Sequence, residues 1–191
     1  MKKEEISLTT KFRIAASLKD FMKKKTFDKI TVKDILIDCD ISRPTFYYHF
    51  EDMYDLMKWM FETEAIELLK ASENCVDWDD GLLLVLQYVH KNRKGCLCAY
   101  HSVGRDFLRR MLYDSASGIM QKFIVNLSLD VPAQKEHIDF ICSFYTQAFT
   151  SSLVTWMLDG EPYTPEKMIE LLDITMHGNI VAALKRSVAA K

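Results

Sequence analysis

Two helix-start signals stand close together near the N-terminus, and they restrict what the first fifty residues can fold into. Thr31 suits an N-cap, and Asp34 three residues on completes a capping-box pattern, in which each side chain satisfies the other residue's backbone N–H. Ile30 and Ile35 fall at the two positions of a hydrophobic staple. Val32, Ile35, Leu36 and Cys39 then give a short helix one apolar face. Only Asp40 and Ile41 separate Cys39 from Ser42, which suits a second cap. Pro44 falls in the first turn beyond it, where a missing N–H costs nothing. Phe46 and Phe50, four apart, share the inward face. Upstream, Leu8, Phe12, Ala15, Leu18 and Met22 mark the stripe of a first helix, and Lys23, Lys24 and Lys25 complement its negative end. Two short helices joined by about three residues make a helix-turn-helix.

The rest of the chain also reads as helical. A longer helix is expected from about Asp52, with Leu56, Trp59 or Met60, Thr63, Ile66 and Leu69 or Lys70 on its face, until the pattern breaks over residues 72–77. Further helices are expected over residues 78–94, 100–112 and 115–127. Pro132 then opens a helix in which Ile141, Phe144, Tyr145, Ala148, Phe149 and Trp156 share a face. Asp159-Gly160 ends it, with Gly160 in the left-handed position. Thr164-Pro165 caps the last helix, where Ile169, Leu172, Met176, Ile180 and Leu184 are in phase. Six glycines and four prolines are too few for the turns of an all-β chain, and no alternating pattern or repeat stands out. The expectation is an all-α protein of about nine helices. A three-helix domain with a helix-turn-helix occupies residues 1–52, and a helical bundle residues 53–191.

Net charge narrows the class of partner. Residues 1–50 hold eleven Lys or Arg against seven Asp or Glu, a net +4, on a chain whose total is −2. A basic head suits contact with phosphates, although a plain solvated face gives the same count. The residues after MKKEEISLTTK lack the apolar run of a secretory signal. The longest apolar stretch, residues 82–86, is far below the roughly 20 residues of a membrane helix, so a cytoplasmic protein is expected. Five cysteines, at 39, 75, 96, 98 and 142, fit free thiols in a reducing compartment better than a disulfide framework.

In a helix-turn-helix the second helix enters the major groove with its N-terminal residues nearest the bases. Arg43 is then the best base reader, since its guanidinium can meet guanine O6 and N7 together. The alternative is a phosphate clamp or a solvated charge. Thr45 adds a base or methyl contact. Thr31 and Lys33, at the start of the preceding helix, can meet a phosphate. Tyr47, Tyr48 and His49 suit phosphate contacts that fix register, though periodicity alone leaves one of the tyrosines for the core.

The stretch ITVKDILIDCDISRPTFYYHFEDMYDL, residues 30–56, resembles the DNA-binding segment of the TetR family of bacterial regulators. Thr31, Ile35, Ile41-Ser42, Thr45-Phe46-Tyr47, His49-Phe50 and Leu56 carry the likeness, with Phe12, Ala15 and Phe27 before them, so that it covers residues 8–70. The DNA-contacting set is then Thr31, Lys33, Ser42, Arg43, Pro44, Thr45, Tyr47, Tyr48 and His49, of which the resemblance supports Tyr47, Tyr48 and His49. It implies a homodimer through the last two helices on a palindromic double-stranded operator. Asp40 departs from the family's usual glycine at the turn, and Met53, beside Glu51 and Asp52, from its usual phosphate-contacting lysine. The acid-and-aromatic opening of the fourth helix and the 156–160 ending look like the subgroup that activates dihydroxyacetone-kinase operons, which implies sensing through a protein co-activator.

Family likeness also implies an effector pocket among the middle helices, for which Tyr88, His101, Arg105, Tyr145 and Trp156 are candidate liners. Each serves equally well as an ordinary core or surface group. Cys96-x-Cys98-x-x-His101 offers three metal-ligand types without a fourth, and structural zinc takes four, so no metal and no cofactor is expected. No Gly-rich phosphate loop or nucleophile–base pattern is recognisable, and an enzyme is not expected. The competing reading is a helical co-regulator that acts through a protein partner and has lost DNA binding, for which Met53, Glu51 and Asp52 argue.

Overall fold

The structure is a computed structural model that describes residues 2–72, 77–102, 105–176 and 178–189. Among the described residues there are ten α-helices, one 3-10 turn and no strand. Contacts divide the chain into two compact units. Unit 1 comprises residues 1–64 and 92–108, and unit 2 residues 65–91 and 109–191. Unit 1 thus carries more than the expected head at residues 1–52.

In unit 1, α1 (Lys2–Met22) packs on α2 (Val32–Asp38) and on α6 (Arg93–Ser102), and α6 also covers the 3-10 turn Phe27–Lys29. The buried stripe of α1 runs through Ile14, Ala15, Leu18 and Met22. Leu8 and Phe12, expected on that stripe, are 49% and 42% exposed, and Phe12 covers the edge of Trp59 at 5.3 Å. Next come α3 (Arg43–His49) and α4 (Met53–Ser72), which buries Leu56, Met57, Met60 and Phe61; its residues from Ala65 on, with Ile66 exposed, belong to unit 2. Asp52 starts α4 by accepting from the N–H groups of Tyr54 and Asp55, both at 2.8 Å.

Unit 2 is built on α5 (Trp78–Lys91), the part of α7 (Arg105–Ser128) from Arg109 onward, α8 (Lys135–Leu158), α9 (Pro165–Met176) and α10 (Asn179–Ala189). Its core takes Leu82, Leu86 and Val89 from α5, Leu112 and Met120 from α7, Phe149 and Leu153 from α8, Met168 from α9 and Leu184 from α10. A Cβ on Gly81 would lie 2.7 Å from Ile119 Cγ2, so α5 and α7 approach at a contact only glycine allows.

Several boundaries differ from expectation. The helix expected over 78–94 stops at Lys91, and α6 begins at Arg93. The two helices expected over 100–112 and 115–127 are replaced by the end of α6 and a continuous α7, because Tyr113-Asp114 contains no Gly or Pro to break the helix. Pro132 stays in the loop, and α8 starts at Lys135 after Gln134. Phe144 and Ala148 face outward, while Ile141, Phe149 and Trp156 face the core. The expected last helix is split in two beside Gly178, whose φ is +75°. The end of α8 matches expectation: Gly160 has φ 85° and the Glu161 N–H reaches back to Trp156 O at 2.9 Å, the long bond of a Schellman motif. Cys75 lies outside the described residues. No helix among them is long and apolar enough to cross a membrane.

Candidate nucleic-acid interface

The helix-turn-helix is set by local hydrogen bonds. Asp34 N–H donates to Thr31 Oγ1 at 3.2 Å and Thr31 N–H donates to Asp34 Oδ2 at 2.8 Å, the expected capping box. Lys25 Nζ donates to the same oxygen at 2.9 Å, tying the end of α1 to the start of α2. The Lys25 ammonium and the two Thr31 donors hold the Asp34 carboxyl down to a pKa of about 2. Ile30 and Ile35 are buried, as a staple requires.

The turn itself is a second Schellman motif. Asp40 takes φ 46°, the Ile41 N–H donates to Leu36 O at 3.0 Å, and the Asp40 N–H donates to Ile37 O at 3.3 Å. Asp40 therefore adopts the left-handed conformation that glycine would supply. Ser42 caps α3, accepting from the Thr45 N–H at 3.3 Å, with its hydroxyl 2.7 Å from that of Thr45. Phe46 and Phe50 anchor α3 inward.

That anchoring turns a polar and aromatic face outward. Arg43, Pro44, Tyr47 and Tyr48 are exposed, Tyr48 by 74%, and the Arg43 guanidinium lies 5.9 Å from the Tyr47 ring centroid. Both tyrosines are outside the core, so the alternative of a core tyrosine is set aside. His49 is half-buried with its ring 5.0 Å from that of Tyr48. Burial, and secondarily the Lys11 charge, push its imidazole pKa below the usual value. Thr31 and Lys33 are exposed at the start of α2. The nine sequence-predicted residues thus fall on two adjoining helix starts and the outer face of α3. Sequence reasoning passed over Lys11, whose ammonium is 5.2 Å from the Phe50 ring centroid and 5.4 Å from that of Trp59. Only the basic character of α1 hinted at it.

The five candidate effector residues fall in both units. His101 and Arg105 are exposed in unit 1, where Arg105 lies over Tyr100 at 5.7 Å. Tyr88, Tyr145 and Trp156 belong to unit 2. Trp156 is buried, and its indole N–H donates to Tyr163 O at 2.9 Å. A cleft of about 670 Å³ in unit 2 is lined by other residues, among them Trp78, Phe123, Leu127, Met176 and Ile180, with Asp77, Asp79, Asp173 and Lys185 as its charges. Cys96 is buried, and burial pushes the half-buried Cys98 thiol up, away from thiolate reactivity.

Residues 76–178 match a family model described as the C-terminal region of TetR-type transcriptional regulators. A dhaKLM operon transcriptional activator, DhaS, of Lactococcus lactis subsp. lactis (strain IL1403) is 36% identical over 87 residues. That match spans 46% of this chain and 46% of that protein. Among solved structures, a dihydroxyacetone kinase operon activator, DhaS, superposes with a TM-score of 0.77 at 23% identity, covering 94% of this chain and 98% of that one. A TetR transcriptional regulator of Streptococcus agalactiae 2603V gives 0.61 at 21% identity, covering 92% and 97%. These structural likenesses establish the all-α fold, and the family match covers more than half of the chain. The chain belongs to the TetR family of transcriptional regulators.

Proposed function

We propose that this protein is a sequence-specific DNA-binding regulator, active in the cytoplasm as a homodimer on a palindromic operator and controlled through unit 2. The observation that carries the reading is the outer face of α3. Phe46 and Phe50 hold it against the core while Arg43, Tyr47 and Tyr48 point away from it. Arg43 at the start of α3 reads a base edge, Thr45 adds a base or methyl contact, and Tyr47, Tyr48 and His49 hold the phosphate backbone. Ser42 and Pro44 fix the start of that helix, and Thr31 and Lys33 meet a further phosphate. Asp52, which argued for lost DNA binding, serves as the cap of α4, which weakens that competing reading.

A single helix-turn-helix reads a half-site, so two copies must stand about 34 Å apart or a multiple of that. Exposed apolar groups on α8 and α9 support dimerisation there: Phe140 and Phe144, with rings stacked 6.4 Å apart, and Ile174, which is 71% exposed. Control then comes from an effector or protein co-activator with different affinities for two arrangements of the dimer. Identity to the dhaKLM activator supports a dihydroxyacetone-kinase operon as the target.

The test is a pair of substitutions measured on the protein's own upstream DNA and on random duplex. Arg43→Ala is expected to cost about 1–3 kcal/mol on the operator and little on random DNA, so preference collapses. Tyr48→Phe is expected to weaken binding to both alike. Equal losses on both duplexes for Arg43→Ala would remove it as a base reader.

A further inference from the structure

Three lysines of unit 1 are held by carboxylates: Lys19 by Glu64 at 2.6 Å, Lys23 by Asp20 at 2.7 Å and Lys25 by Asp34 at 2.9 Å. Lys11 is held by other means. Its half-buried side chain leaves α1 and sets Nζ 5.2 Å from the Phe50 ring centroid and 5.4 Å from the Trp59 ring centroid. No carboxylate among the described residues is paired with it. Aromatic faces attract a cation without neutralising it, so the ammonium is fixed in place and its charge remains available.

Its location gives that charge a use. Phe50 closes α3 by donating its N–H to Phe46 O at 3.0 Å, and the Phe50 ring lies 6.4 Å from that of His49. Lys11 therefore stands at the C-terminal end of α3, close enough for its charge to act on the His49 imidazole. His49 supplies little charge there near neutral pH, because burial and then Lys11 itself lower its imidazole pKa. A cation already ordered by two rings has less conformational freedom to lose when an anion arrives.

We propose that Lys11 is a phosphate-binding residue of the DNA interface, its ammonium clasped by Phe50 and Trp59 so as to meet a backbone phosphate at the end of α3. This rests on the DNA-binding reading above. The plainer role for the same ammonium is to complement the negative end of α3, which would affect folding without touching DNA.

The experiment measures full-length protein binding to its upstream duplex and to a random duplex across a salt series, for wild type, Lys11→Met and Lys11→Arg. Met keeps the apolar stem against the rings and removes the charge, and Lys11→Gln is the second neutral variant should Met disturb packing. Losing one phosphate contact per subunit lowers the slope of log K against log salt by about 0.9, or about 1.8 for a dimer on two half-sites. The expected result is that shallower slope on both duplexes alike, with the wild-type slope restored in Lys11→Arg. An unchanged slope in both neutral variants overturns the assignment, whether or not they melt at lower temperature. Wild-type protein that binds neither duplex at low salt overturns the DNA-binding reading, and Lys11 with it.

Discussion

Asp40 shows how a single residue can carry a fold and strain it together. The Schellman turn between α2 and α3 demands a positive φ, and Asp40 supplies 46° with a Cβ that glycine would lack. Asp40→Gly is therefore expected to stabilise the protein by about 1 kcal/mol or less, the relief of strain being partly offset by glycine's greater freedom when unfolded. A denaturation midpoint that rises with an unchanged slope would agree; a lowered midpoint would mean the Asp40 carboxylate contributes more than its backbone costs. This position and the Thr31–Asp34 box were legible in the sequence because every partner lies within a few residues. Glu161 and Lys11 were not. Glu161 takes φ 58° one residue beyond Gly160, with its carboxylate 2.6 Å from His90 Nδ1, a partner far along the chain. Lys11 likewise depends on rings that only the folded chain brings to it.

At the scale of elements, the existence of helices was legible throughout, and their ends only where a cap stood in the sequence. The Thr31, Ser42 and Gly160 signals placed α2, α3 and the end of α8. Two helices without such signals were misplaced: α7 runs on through Tyr113-Asp114, and the split at Gly178 was hidden by an apolar phase that continues from Met176 to Ile180. Period counting also assigned Phe144 and Ala148 to the inner face of α8, since a helix with apolar residues on two sides gives no unique stripe. Gly81 is the clearest case of packing overriding propensity. Alanine gains about 1 kcal/mol in a helix interior, but its Cβ would sit 2.7 Å from Ile119 Cγ2, in a β-branched side chain with little rotamer freedom. Overpacking costs about 1–3 kcal/mol, so Gly81→Ala is expected to be net destabilising by up to about 2 kcal/mol. Chemical denaturation checks it, and a variant as stable as wild type would mean α5 and α7 can separate freely.

For the whole molecule, the residues chosen from the sequence gather in one place in unit 1, whereas the effector candidates fall in both units. Nine residues chosen from the sequence fall on two helix starts and one outer face in unit 1, because a helix-turn-helix is a local structure. The five effector candidates fall in both units, since a lone tyrosine or tryptophan in a sequence carries no mark of its surroundings. Trp156 illustrates this: its indole is used in fastening α8 to the turn that carries Tyr163. The cleft on Trp78, Phe123 and Ile180 is also lined by Asp77, Asp79 and Asp173, which no spacing pattern brings together. The exposed phenylalanines of α8 and Ile174 of α9 are the surfaces expected to close when two chains associate.

DNA binding by the wild-type chain is measured by titrating it into a duplex of its own upstream sequence, and into a random duplex of equal length, over a salt series. The expected result is two chains per operator, tighter binding to the upstream duplex, and a linear fall of log K with log salt on both. No binding to either duplex at low salt would contradict it and leave the chain as a regulator that acts through a protein partner.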